Sequence, residues 1–163
     1  MRFEDRPGGR GRPRRLWTLT SSGHARFPDR HGELAVQLIQ QTTAALGSEA
    51  VQRLIAAREV DLQSRQESEL SRFSTLESRL TCLAEMRTHD GFMASLQAQD
   101  EGWLLVQNHC PIRAAVATCP ELCCSELNLV RSAAGGGARV EHVEHMPKGD
   151  HRCVYSIVPT GRN

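Results

Sequence analysis

Residues 108–130, NHCPIRAAVATCPELCCSELNLV, hold four of the chain's six cysteines: Cys110, Cys119, Cys123 and Cys124. Pro111 and Pro120 each suit the first turn of a helix, which predicts helices over 111–117 and 120–132. Upstream, 91–97 and 103–107 read as strands joined by the polar turn Gln99-Asp100-Glu101-Gly102. Downstream, Gly135-Gly136-Gly137 breaks the chain. Segments 139–146 and 152–158 then read as strands around Pro147-Lys148-Gly149-Asp150. Two strands, two helices and two strands predict an α+β module with an antiparallel sheet over 91–163. Its last strand opens on Cys153.

The middle of the chain is helical by period. Leu34, Leu38, Ile39, Ala45 and Leu46 recur at helical spacing from Asp29 onward, and Gly47-Ser48 marks a stop and a new N-cap. Val51, Leu54, Ile55 and Leu62 continue on a second helix. Leu76, Leu80, Leu83 and Met86 lie on a third that ends near His89-Asp90-Gly91. These stripes predict a helix–helix core, and their narrowness also suits a dimer seam. Residues 29–90 are therefore expected to be a helical connector and dimerisation region. Cys82, on the third helix, reads as a small buried apolar residue.

The N-terminus differs in kind. Residues 1–15 contain six arginines against Glu4 and Asp5, with Pro7, Gly8, Gly9, Gly11 and Pro13 between them. Glycine and proline oppose a helix there, while Arg15-Leu16-Trp17-Thr18-Leu19-Thr20 alternates as a strand. A basic hairpin tip over Arg10, Arg12, Arg14 and Arg15 follows, suited to phosphates or a minor groove. Trp17 is expected to anchor a core under the hairpin, and Thr20-Ser21-Ser22-Gly23 to cap a helix.

Composition narrows the function classes. The formal net charge is +1 and Lys148 is the sole lysine, so the chain as a whole is no polycation. No apolar run long enough to span a membrane occurs, and no signal-peptide pattern opens the chain. A cytoplasmic location with reduced thiols is expected, with no membrane and no small-molecule substrate. No nucleophile–base order, phosphate loop or paired-carboxylate motif supports an enzyme.

Thiols gathered at one end of a chain suit a soft metal, an iron–sulfur cluster or redox chemistry. A helix through 119–124 would place Cys119 and Cys123 on one face and Cys124 elsewhere. No C-x-x-C hook of the usual zinc kind is present, though Cys119-x3-Cys123 with His109 or His151 would make a zinc site. Inert buried thiols and direct oxidation at Cys123-Cys124 remain alternatives. His142 and His145, three apart on one strand, are expected on opposite faces. One of them, or His151, could supply a fourth cluster ligand, though exposure to solvent is the commoner case for a histidine.

The two ends together resemble a known family. Residues 9–35, GRGRPRRLWTLTSSGHARFPDRHGELA, resemble the wing and following helix of SufR-type winged-helix repressors. Asn108-His109-Cys110-Pro111-Ile112, Glu121-Leu122-Cys123-Cys124-Ser125-Glu126-Leu127 and Gly149-Asp150-His151-Arg152-Cys153-Val154-Tyr155-Ser156-Ile157 resemble their C-terminal half. The resemblance implies a homodimeric repressor of iron–sulfur assembly genes that senses cluster status through a [4Fe–4S] cluster. Cys110, Cys123 and Cys153 match its ligand positions. The fourth ligand is open among His145, His151, Cys119, Cys124 and an acidic residue. Residues 1–28 would be the wing and end of a winged-helix domain. A chain that starts at the wing is expected to keep cluster binding and dimerisation, and to bind DNA weakly or without specificity. A zinc- or thiol-based regulator, or a cluster-binding dimerisation module, is the alternative.

Overall fold

The computed structural model describes residues 1–6, 14–24, 26 and 29–161. The fold is mixed α and β, with two antiparallel sheets. The chain divides into two compact units, Met1–His31 and Gly32–Asn163.

In the first unit, β1 (Arg2–Arg6) pairs antiparallel with β2 (Arg14–Thr18), so the expected hairpin is present. Its tip, with Arg10 and Arg12, lies outside the described residues. Trp17 departs from expectation. It is 60 % exposed and tilts against its cross-strand partner Phe3, with ring centroids 5.2 Å apart. A two-stranded ribbon has no second layer of its own, and an aromatic pair across it is the burial that remains. Asp5 and Arg15 face each other across the same ribbon. The guanidinium donates to both carboxylate oxygens at 2.8 and 2.9 Å and covers the Phe3 ring at 4.0 Å. That fork holds the Asp5 carboxyl below the usual carboxylate range. The expected cap is observed at α1 (Ser21–His24), where Thr20 Oγ1 accepts from the Gly23 N–H.

The second unit begins with three helices: α2 (His31–Leu46), α3 (Ser48–Leu70) and α4 (Leu76–His89). Their bounds follow the leucine period, with one shift. Gly47, at φ 83°, is the N-cap of α3, so Ser48 is its first helical residue. Thr75 caps α4 through its side chain, accepting from the Ser78 N–H. The hairpin β3 (Ala94–Gln99) and β4 (Gly102–Gln107) follows, then α5 (Arg113–Thr118), α6 (Glu121–Ala134), β5 (Ala138–Glu144) and β6 (Cys153–Pro159). A single 3-10 turn, Met146–Lys148, joins the last two strands.

The four strands run antiparallel in the order β3-β4-β6-β5. Trp103 faces Ile157, Leu105 faces Tyr155 and Gln107 faces Cys153 across the central pair. Leu105, Cys153, Tyr155, Ile157 and Val140 form one core with Leu70, Leu80, Leu83, Val130 and Ala133 from α3, α4 and α6. Residues 29–90 thus share their core with residues 91–163. The inward face of α6 explains this. Leu122, Ser125, Glu126, Leu129, Val130, Ala133 and Ala134 are all buried at helical spacing, and α3 packs along them. Among the described α-helices of this unit, α2 alone buries no residue.

Candidate metal centre

Three elements meet at the end of the sheet where β4 stops and β6 starts. Cys110 lies in the loop after β4. That loop is pinned by the His109 N–H donating to the Phe92 carbonyl (3.1 Å) and the Arg113 N–H to the Cys110 carbonyl (3.2 Å). Cys123 sits in the first turn of α6, its N–H donating to the Pro120 carbonyl at 2.9 Å. Cys153 is the first residue of β6, opposite Gln107 on the helix-facing side of the sheet.

The three thiols act on one another electrostatically. Burial, then the neighbouring charges of Cys153 and Cys110, push the Cys123 thiol up to about 12. Burial first, and Cys153 and Glu126 after it, push Cys110 up, while a backbone hydrogen bond from Ile112 opposes them. Burial also raises Cys153, against a backbone hydrogen bond from Met146. A helix N-terminus by itself favours a thiolate, so at Cys123 desolvation and like charge outweigh the α6 dipole. Without a cation these thiols stay protonated near neutral pH. A metal would have to displace their protons on binding.

The other expected ligands are elsewhere. Cys119 ends α5 and does not lie on α6. A residue before proline is driven out of the α region, and Cys119 sits at φ −138°, ψ 87°, just ahead of Pro120. Its thiol donates to Glu121 Oε2 at 3.3 Å and packs with Val51, Val116 and Leu122 in a second apolar cluster. Cys124 and His151 are exposed. Cys82 packs against the main core but is only half-buried, short of the buried residue its place on α4 predicted.

His145 and His142 overturn the expectation of opposite faces. A bulge between His142 and Glu144 inserts Val143 and resets the alternation. His142 faces Tyr155 and Glu144 faces Val154, and the His145 ring stands against that of His142. The two imidazoles stand 4.3 Å apart, and His142 stacks on Tyr155 at 4.4 Å and 21°. Burial, the His145 and Lys148 charges, in that order, lower His142 to about 4. Burial is also the main cause that lowers His145.

No protein-family model, curated protein or solved structure matches the chain. Function must therefore be argued from the site itself.

Among the described residues, no three His, Cys, Asp or Glu side chains form a group that could hold a metal ion. Around one zinc at a Zn–S distance of ~2.3 Å, tetrahedral sulfurs crowd to about 3.8 Å. A cluster asks for a wider arrangement, because each thiolate takes its own iron at a separate corner.

The surroundings bear on what would fit. Gln107 Nε2, Arg87 Nε and Nη2, His142 Nε2 and His145 Nε2 are buried with no hydrogen-bond partner. Gln107 is the cross-strand neighbour of Cys153, and Tyr155 feels the charges of Cys153, Arg87, Glu126 and Cys123. Buried polar atoms without partners cost roughly 1–3 kcal/mol each, so a cluster of them calls for a counterpart. Three sulfur donors and the unpaired Gln107 amide across from Cys153 are a donor set that a sulfur-rich anionic group would take.

Glu126 is the residue the sequence reading passed over. It continues the buried face Leu122–Leu129–Ala133, where an apolar residue would be ordinary. Its carboxylate accepts from Arg87 of α4 at 2.7 Å and from Arg58 of α3 at 2.9 Å. A carboxylate inside an apolar helical stripe was the available signal.

Proposed function

We propose that the chain is a transcriptional regulator of iron–sulfur cluster assembly genes, with Cys110, Cys123 and Cys153 as its cluster ligands. What supports this reading is the electrostatic coupling of those three thiols, which come from a loop, a helix and a strand, together with the unpartnered buried amide of Gln107 across from Cys153. When bound, a [4Fe–4S] cluster supplies an oxidant-sensitive crosslink between the three elements. Cys123 ties that crosslink to α6. On the same helix, one turn further along, Glu126 grips Arg58 of α3 and Arg87 of α4. A change of position at Cys123 is thereby passed to α3.

The regulator acts as a homodimer in this reading. Leu34, Leu38 and Leu46 of α2 and Leu54 and Val60 of α3 are exposed and offer apolar surface to a second copy. An apolar groove of about 360 Å³ runs between them, lined by Leu38, Ile39, Val51, Leu54, Ala115 and Leu122. The basic hairpin is the DNA-facing part, a wing in this reading. Of its described arginines, Arg14 is exposed, whereas Arg15 is engaged by Asp5. Phosphate contact from such a loop gives salt-sensitive binding with little sequence choice.

Anaerobic reconstitution with ferrous iron and sulfide tests the reading, followed by gel shifts on DNA upstream of cluster-assembly genes at two salt concentrations. Brown protein whose DNA affinity falls on exposure to air is the expected result. A colourless protein with stoichiometric zinc overturns it in favour of a zinc-dependent regulator. Brown protein with no cluster-dependent DNA binding leaves a cluster-binding dimerisation module. A metal-free thiol switch is disfavoured by the raised pKa of all three thiols, since the thiolate is the species that reacts.

A further inference from the structure

A cleft of about 350 Å³ opens between α3, α4 and the loop after β4, and three arginines line it: Arg58, Arg65 and Arg87. We propose that this cleft binds an organic monocarboxylate, with its carboxylate on the Nε–Nη2 edge of Arg87 and its apolar body along the walls. The proposal is independent of the cluster reading, since it uses none of the cysteines.

Two guanidinium groups share one buried carboxylate. Glu126 accepts from Arg87 Nη1 at 2.7 Å and from Arg58 Nη2 at 2.9 Å, and the side chains of Arg87 and Glu126 are each 6 % exposed. One positive charge is left in excess, much of it away from water, where an unmatched charge is costly. Arg65 is exposed at the rim and has no ion-pair partner among the described residues. Asp90, the carboxylate that lines the cleft, is exposed and pairs with none of the three arginines. Three cations set against Glu126 and Asp90 call for a ligand with a single negative charge.

The donors that remain have the geometry of a carboxylate receptor. Arg87 Nε and Nη2 are buried with no hydrogen-bond partner, and so is Arg58 Nη1. Nε and Nη2 make up one parallel two-donor edge of a guanidinium. Arg15 turns that same edge to Asp5, and Arg152 to Glu144, each closing two bonds of 2.8 or 2.9 Å. Nη1 of Arg87 is taken up by Glu126, so the Nε–Nη2 fork is the part left for a ligand. The Phe92 ring, 4.8 Å from the guanidinium carbon, limits its rotation. The other walls are apolar, formed by Leu62, Leu83, Met86, Ile112 and Leu129. A bare inorganic anion would leave those walls uncovered, so the ligand carries an apolar body. The fork is shut off from water, and a head group reaches it as the half-buried wall residues Leu62, Met86 and Ile112 turn aside. Pro111 and Ile112 directly follow Cys110, so a ligand there lies against the loop that carries that thiol.

The test is titration of the ¹⁵N-labelled, metal-free full chain with sodium octanoate, read by nuclear magnetic resonance at the Arg87 side-chain Nε–H. Saturable binding that moves this resonance downfield is expected. Octanol, which lacks the charge, and acetate, which lacks the apolar body, should each bind at least about tenfold more weakly. Arg87→Lys keeps the charge but loses the fork, and should weaken octanoate about tenfold or more. Arg65→Gln should weaken it about twofold to fivefold. Leu62→Trp, which fills the cleft, should block it. No saturable binding of octanoate overturns the proposal, as does equal binding of octanol. Inorganic phosphate that binds as tightly as octanoate overturns the ligand class. Octanoate binding that leaves the Arg87 Nε–H unmoved places the ligand elsewhere and overturns the site. Circular dichroism identifies a variant that has failed to fold. Should that be Arg87→Lys, the wild-type resonance with Arg65→Gln and Leu62→Trp decides.

Discussion

Arg87 Nη1 donates to Glu126 Oε2 at 2.7 Å, and both side chains are 6 % exposed. The pair bolts α4 to α6 beneath the three thiols. Its second carboxylate oxygen reaches Arg58 on α3, which is far more exposed.

Removing one partner of so buried a pair strands the other's charge. Glu126→Ala is expected to cost about 3–5 kcal/mol in urea unfolding of the metal-free protein. Arg58→Ala should cost about 1 kcal/mol or less, because water replaces that contact. The double variant Arg87→Met with Glu126→Leu should recover most of the loss. Equal effects of the two single changes at Glu126 and Arg58 would contradict the network.

On the proposed reading, the exposed leucines of α2 and α3 form the dimer interface. Leu38→Glu or Leu54→Glu should convert a dimer into a monomer in sedimentation equilibrium, with the fold retained by circular dichroism. Neither residue is buried within the chain, so little stability is at stake in the monomer. An unchanged mass would place the interface elsewhere.

His142 makes the metal-free protein acid-sensitive. Its folded pKa lies below its ordinary value, near 4 against 6.5, because of burial and the His145 and Lys148 charges, with Asp150 opposing. A depressed pKa gives stability that is full above 6.5 and is lost as the pH falls through 4. His145 is lowered in the same sense. Between pH 7.5 and 5 the metal-free chain should lose up to about 2 kcal/mol through this group. His142→Gln should flatten the profile, and an equally steep profile in that variant would exclude the group.

Gly102 marks the tightest point of the sheet. A Cβ there would run into the Ile157 carbonyl oxygen of the neighbouring strand, an atom held by the ladder. Gly102→Ala should destabilise by roughly 1–3 kcal/mol. Gly136→Ala, where a Cβ meets nothing, should be close to neutral and serves as the control.

Much of the architecture was legible because its signals are local. Pro111 and Pro120 open α5 and α6 near the expected positions, the leucine period gives α2, α3 and α4, and turn residues separate the four strands. What escaped depends on partners far along the chain. The opposite-face placement of His142 and His145 followed from a period of two. The bulge that overturns it arises in pairing with β6, and nothing in residues 138–145 signals it. Cys119 was grouped with Cys123 by treating 119–124 as one helix, although Pro120 was reason enough to break it. Trp17 was given a core that a two-stranded ribbon cannot supply. Among the site residues, Cys110, Cys123 and Cys153 stood out by their local blocks. Glu126 and Gln107 become visible only in the folded chain, where Glu126 pairs with Arg58 and Arg87 and Gln107 lies across from Cys153.

The most direct measurement is iron and sulfide content after anaerobic reconstitution of the wild type and six cysteine-to-serine variants. Wild type, Cys82→Ser, Cys119→Ser and Cys124→Ser should hold near four iron and four sulfide per chain and be brown, as a [4Fe–4S] cluster requires. Cys110→Ser, Cys123→Ser and Cys153→Ser should each lose most of both. Uptake that survives in those three variants, or that fails instead in Cys119→Ser and Cys124→Ser, would contradict a cluster held at the junction of β4, α6 and β6.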